Sequence, residues 1–248
     1  VIQRILIVAL LLVVPVYGGW AQANDTDEDR YSAVTAYGVT TNTNSGILGG
    51  FVFRQSKVLP NLFNGKRQFR YLSVELVNVK HPKEIQLPRD YQGSRFTLNK
   101  VNYLFVVRPQ YGREVALFTR SADEGIAVNG IFAVGPSIGI IKPYFIQYQY
   151  RPGVIRNEAY DPNVHMNPDM ILGAGGFFQG FEKSKFTAGL NVKAAVAFEL
   201  SAFRNNMTGV EIGFLAEAFP QAVRILAQTD NRNFFTSGYV TLFFGNKR

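Results

Sequence analysis

From Gly189 to Ala202 the chain alternates strictly. Leu190, Val192, Ala194, Val196, Phe198, Leu200 and Ala202 fall on one face, and Gly189, Asn191, Lys193, Ala195, Ala197, Glu199 and Ser201 on the other. An apolar residue at every second position is the period of a strand, not of a helix. Val210, Ile212, Phe214, Ala216 and Ala218 repeat the pattern against Gly209, Glu211, Gly213, Leu215 and Glu217. Val128, Phe132, Val134, Ile138 and Ile140 do the same against Ala127, Asn129, Ala133, Gly135, Ser137 and Gly139. The second face is the informative one. The water-facing side of a soluble barrel carries many Lys, Glu, Thr and Asn and little glycine. Here it is Gly, Ala and Ser with scattered single charges. That composition suits the crowded inside of a narrow barrel, with a continuous apolar face turned to lipid. The alternation predicts an all-β, antiparallel transmembrane β-barrel; a soluble lipid-binding barrel is the competing fold.

Eight strands are expected, at 46–56, 68–80, 101–111, 126–148, 170–180, 188–203, 209–219 and 234–244. Ten is the alternative, if the long fourth segment splits at Lys142-Pro143 and residues 31–41 pair. Ahead of the barrel (45–248) lie two other segments. Arg4, the apolar run Ile5 to Val14, Pro15 and the Ala21-Gln22-Ala23 site have the form of a secretory signal peptide, residues 1–23. Residues 24–44, acidic at their front, read as a flexible periplasmic lead-in, with Ala33 to Thr40 able to add a short strand. The formal charge is +8 and there is no cysteine. Export turns the basic balance away from nucleic acid and toward lipid, including lipopolysaccharide phosphates. The absent thiols exclude a disulfide scaffold, a Cys nucleophile and Cys-ligated metal.

Parity assigns Arg54, Glu75, Arg108, Lys193, Glu199, Glu211 and Glu217 to the lumen. An eight-stranded barrel is only just wide enough to be filled by its own side chains. An isolated buried charge costs several kcal/mol, so these charges are expected to pair and plug the barrel rather than line a pore.

The segment Asn102-Tyr103-Leu104-Phe105-Val106-Val107-Arg108-Pro109-Gln110-Tyr111-Gly112 and the closing Thr236-Ser237-Gly238-Tyr239-Val240-Thr241-Leu242-Phe243-Phe244-Gly245, with the architecture, resemble the small bacterial outer-membrane β-barrels of the PorT-like type over residues 45–248. The resemblance implies a membrane component, with a role in protein export or secretion and a periplasmic or membrane protein partner. One departure stands out. Gly245-Asn246-Lys247-Arg248 follows Phe244, where many such barrels end on an aromatic residue.

A chemical site is harder to find. The two histidines, His81 and His165, fall in loops expected to be long and, counting strands from residue 46, periplasmic. A site of His81, His165, Asp161 and Glu158 would have metal-binding side chains but no ligand-spacing motif. Ser73 has no base paired with it on one strand face, as nucleophile activation requires. Gly173-Ala174-Gly175-Gly176 lacks the ending of a phosphate loop and lies in a strand pattern. No catalytic, cofactor or metal residue is therefore assigned. The expectation is a non-enzymatic outer-membrane component; a lipid-modifying rim enzyme is the alternative. Three surface features complete the reading. Residues 80–100 are net positive and are expected to be a docking loop on the periplasmic rim. Lys66, Arg67 and Arg70 form the densest basic patch, expected at the outer rim. Phe69, Tyr71, Tyr103, Tyr111, Tyr144, Tyr148, Tyr150, Phe234, Phe235 and Tyr239 are expected to form interfacial girdles.

Overall fold

A computed structural model describes residues 31–88, 95–119, 126–200 and 206–248. The expected signal peptide, 1–23, lies outside them. The strands are β1 (Ala33–Asn42), β2 (Gly46–Val58), β3 (Gln68–Val79), β4 (Gln86–Pro88), β5 (Arg95–Thr97), β6 (Asn102–Phe118), β7 (Ala127–Pro143), β8 (Phe145–Arg151), β9 (Val154–Ala159), β10 (Ile171–Ala174), β11 (Lys185–Glu199), β12 (Asn206–Ala218) and β13 (Phe234–Lys247). Eight of them close an antiparallel barrel in the order β1-β13-β12-β11-β7-β6-β3-β2.

The number of barrel strands is as expected, but its membership differs. Residues 33–42 are not lead-in. They form the seam, paired from Val34↔Lys247 to Asn42↔Tyr239 with β13 and with β2 on the other side. Their alternation is real, with Val34 and Ala36 buried and Tyr37 65% exposed, but threonines dilute its apolar face. Conversely, the segment expected at 170–180 leaves the barrel. The long fourth segment does split at Pro143, whose missing N–H cannot continue the ladder. Beyond it β8 turns away and pairs with β9 and β10 in a separate three-stranded sheet.

Starting the count one strand earlier exchanges the two rims. β1 begins and β13 ends at one rim, here the entry rim. β2, β6 and β11 end at it and β3, β7 and β12 begin there. The turn 43–45 and the long connections 80–101, 144–184 and 219–233 lie at the opposite, loop rim. The loops carrying His81 and His165 are therefore on the loop rim, and the Lys66–Arg70 patch is on the entry rim, the reverse of the expectation.

The stagger follows from the register. Cα partners lead from Ala33 through Lys57, Arg70, Arg113, Phe132, Ala194, Phe214 and Gly238. The circuit returns to the end of β1 at Thr43, whose N–H donates to the Gly238 carbonyl at 3.0 Å. Ten residues of stagger over eight strands means a tilt of about 40°, and a climb of about 2.5 Å per residue along the axis. From Tyr103 to Arg113 the outer wall then spans about 25 Å, the height of a lipid-facing band. That wall is apolar: Phe53, Leu72, Val74, Phe132, Leu190, Phe214 and Leu242 are all exposed.

Candidate functional site

The barrel interior is built by the inward parity of every strand. Arg54, Glu75, Arg108, Lys193, Glu199, Glu211 and Glu217 are all buried there, none more than 5% exposed. Six of them form one alternating chain across the lumen. Arg54 Nη1 meets Glu211 Oε2 at 3.0 Å, and Lys193 Nζ bridges Glu211 Oε1 at 2.8 Å and Glu75 Oε1 at 2.7 Å. Glu75 Oε2 lies 3.7 Å from Arg108 Nη1, and Arg108 clasps Glu217 through Nε and Nη2, both at 2.8 Å. Three cations thus face three carboxylates. Tyr239 donates to Glu211 at 2.7 Å, and the Arg54 guanidinium rests 3.9 Å above the Phe243 ring. A relay of neutral side chains completes the layer: Ser73 donates to Gln110, Gln110 to Asn191, Asn191 to Ser137 and Ser137 to Glu217. Ser73 is thereby a buried lumen residue, not a nucleophile at a rim.

Closer to the entry rim sits a second group. Asn129 donates to Glu114 at 2.9 Å and to Glu199 at 3.1 Å, Ser56 donates to Glu114, and Lys247 pairs with Glu199 at 2.7 Å. Glu114 escaped sequence reading because the third expected strand stopped at 111. Yet Arg108, Gln110, Gly112 and Glu114 keep one parity, and following it further would have found the residue. Around this group Val34, Ala36, Ile131, Ala133, Met207 and Phe243 pack the lower lumen.

At the loop rim the connection 219–233 folds inward. Phe219, Val223, Ile225 and Leu226 pack against Val77, Val79, Leu104 and Val106 of the inner wall. Backbone bonds from Val101 and Asn102 to the Ile225 carbonyl, and from Ala227 to that of Asn99, tie this plug down. The Asn231 side chain braces it from within, accepting from the Ile225 and Leu226 N–H groups.

Above the plug a small folded unit is raised on the barrel. Phe96, from the β4–β5 hairpin, is fully buried among Tyr144, Ile146, Tyr148, Tyr160 and Ile171 of the β8-β9-β10 sheet and its flanks. Residues 80–88 and 95–101 are accordingly not a loose basic connector. Lys100 is buried and paired with Glu84 at 2.7 Å; burial pushes its ammonium below the usual lysine range, against the pull of that carboxylate. His165 lies against Tyr148 and over Tyr160, with ring centroids 4.7 and 5.8 Å away. Its Nδ1 accepts from the Asp161 N–H at 3.0 Å, so Nε2 carries the proton that it shares with Glu158 at 3.2 Å. Tyr150 also donates to Glu158, at 2.6 Å, and that bond, with His165, holds the carboxyl below the usual range. His81 is engaged separately, with Nδ1 accepting from the Lys83 backbone N–H and its backbone N–H donating to Glu84. Thus His165 and Glu158 come together, Asp161 contributes its backbone, and His81 has other partners. No group of three His, Asp or Glu side chains suited to a metal occurs among the described residues.

No known family model matches this chain, and no curated protein matches it. Among solved structures it is similar to Ail, the attachment invasion locus protein of Yersinia pestis. The similarity to Ail in complex with the heparin analogue sucrose octasulfate has 9% identity and a TM-score of 0.35, over 88% of this chain and 97% of that one. Ail alone gives 8% and 0.34 over the same shares.

The expected aromatic girdles divide. Tyr111 and Phe234 do face outward, Tyr103 has outward parity but packs against the rim unit, and Tyr150 lies exposed on β8 of that unit. Tyr71 and Tyr239 are lumen residues, Phe69 is buried inward, Phe235 packs with the plug, and Tyr144 and Tyr148 are core of the rim unit. Parity separates them: an aromatic sharing the phase of a lumen charge cannot also face lipid. Gly173 belongs to β10, paired with Gln147, and Gly175 packs on Phe145. That run is therefore sheet edge and turn, not a phosphate loop.

Proposed function

We propose that this chain is an outer-membrane β-barrel acting as a non-enzymatic structural or assembly component, with the folded unit on its loop rim as the surface offered to partners. The observation that carries this is the inversion of the barrel: its wall is apolar outside while its charges are paired inside. A soluble lipid-binding barrel would have the opposite arrangement and an empty core. Bacterial outer-membrane barrels have short periplasmic turns and longer outer loops. By that rule the entry rim is periplasmic, and the rim unit, with Lys80, Lys83 and Arg95 at its base, faces outward, toward lipopolysaccharide and the exterior. The resemblance to PorT-like barrels adds protein export as the process in which such a component would serve.

Conductance tests the reading. Purified protein in a planar bilayer is expected to insert without steady current, because the ion-paired layer and the plug obstruct the lumen in series. Large, lasting single-channel currents would overturn it in favour of a pore.

A further inference from the structure

Lys57, Arg70 and Arg113 stand side by side on the outer wall. Lys57 is the cross-strand partner of Arg70, and Arg70 of Arg113. All three point outward, between buried Ser56, Tyr71 and Glu114. Like charges placed directly opposite weaken a sheet, and no described carboxylate pairs with any of the three. At about 40° of tilt they lie within roughly 6 Å of one height. That height is the lower edge of the apolar belt, where Leu72 and Phe53 begin it on neighbouring strands.

Beside the row the wall is indented. A groove of about 830 Å³ runs along β6, β7, β11 and β12, with Arg113 and Gln68 on its margin and Val115, Phe132, Ala194 and Phe214 among its apolar lining. Its volume is in the range of built small-molecule sites. Three cations with no described carboxylate partner, one of them lining an apolar groove, at interfacial height, match one kind of ligand: an anionic head carrying an apolar tail.

We propose that this wall binds an acidic glycerophospholipid, its phosphate held by Lys57, Arg70 and Arg113 and an acyl chain laid in the groove. The row lies at the entry rim, the side of short turns, so its partner is the phospholipid of that leaflet and not the lipopolysaccharide of the other. This inference rests on the membrane-barrel reading, and the test separates the two.

Insertion into pure phosphatidylcholine vesicles examines the barrel alone: failure to insert sinks both. Native mass spectrometry of the detergent-purified barrel, offered equal phosphatidylglycerol, phosphatidylcholine and lipid A, then examines the site. The wild type should retain phosphatidylglycerol at least 10-fold over phosphatidylcholine. K57Q/R70Q/R113Q should abolish that preference, and Ala194→Trp, which fills the groove without changing charge, should weaken retention several-fold. K183Q/K185Q, two exposed lysines at the loop rim, should leave it intact. If the triple variant does not fold, Arg70→Gln and Arg113→Gln are scored singly on their folded fractions and should each lower the preference. Equal retention of the two lipids by wild type, an unchanged preference in the row variants, or a loss of lipid A binding confined to the row variants would each overturn the proposal while leaving the barrel standing.

Discussion

At the residue scale the lumen is a chain of mutual dependence. Glu217 satisfies two nitrogens of Arg108, while Glu75 reaches that guanidinium only at 3.7 Å. Replacing Glu217 with Ala leaves a buried cation short of its counter-ion, and breaking such a pair costs about 3–5 kcal/mol. Urea unfolding from vesicles should show that loss; a change under about 1 kcal/mol would mean Glu75 suffices, since an adequately paired site loses little. The rim unit has its own residue-level sensor. The Glu158 carboxyl is depressed by Tyr150 and His165, so it contributes stability above the ordinary carboxylate range, lost as pH falls through its lowered value. Amide protection in β8 and β9, relative to the unfolded chain at the same pH, should fall on acidification over that window, and Glu158→Gln should flatten the response. Seven of the lumen charges were legible in the sequence because strand parity is local, and Glu114 was missed only where the expected strand stopped short. Their pairing scheme was not legible, since partners such as Arg108 and Glu217 come from strands that only closure brings face to face.

At the element scale parity decides what each position tolerates. Val192 faces outward near mid-wall, and Arg there should cost about 2–4 kcal/mol, whereas Arg at Thr208, near the lower edge, should cost about 0–1 kcal/mol. Equal costs would refute the facing assignment. The ladder between β6 and β7 carries a different constraint. Its pairing lapses between Val107↔Ile138 and Tyr111↔Val134, around Pro109 and Pro136, with the same register on either side. A Cβ on Gly135 would overlap the Pro109 carbonyl oxygen, so Gly135→Ala must push these strands apart and should lower the unfolding midpoint. A midpoint equal to wild type would show that the strands have room to separate. Strands with a strong apolar face, such as β11 and β12, were readable from sequence. β1 was less so, because its outward positions include Thr35 and Thr41 and its inward ones Gly38 and Thr40. Pairing on both edges, not side-chain hydrophobicity, makes it a strand.

At the scale of the whole molecule the two rims are distinct surfaces. Met166, 78% exposed, belongs to the rim unit, and Leu62, 61% exposed, to an entry-rim turn. The chain has no cysteine, so single thiols report cleanly. In intact cells an impermeant maleimide should label Met166→Cys at once and Leu62→Cys only after the outer membrane is opened. The reverse order would invert the orientation proposed above. The rim unit should also survive as a protected body, because Phe96, Tyr144 and Tyr160 share one core. Limited proteolysis of vesicle-inserted protein should spare 144–174, and rapid cutting there would contradict its packing.

The class of the fold and the sorting of residues between wall and lumen were determined by the sequence itself. A two-residue period acts through nearest neighbours on one strand, and an apolar face opposite a small, sparsely charged one has few stable arrangements. The strand membership, and with it the side on which every loop emerges, was decided by tertiary structure. Closure depends on a seam between residues far apart in the chain, where β1 meets β13. The plug and the rim unit likewise arise from contacts between separate connections: Ile225 against Leu104, Phe96 against Tyr144. Periodicity carries no trace of such contacts, because each half of the pair reads locally as an ordinary loop.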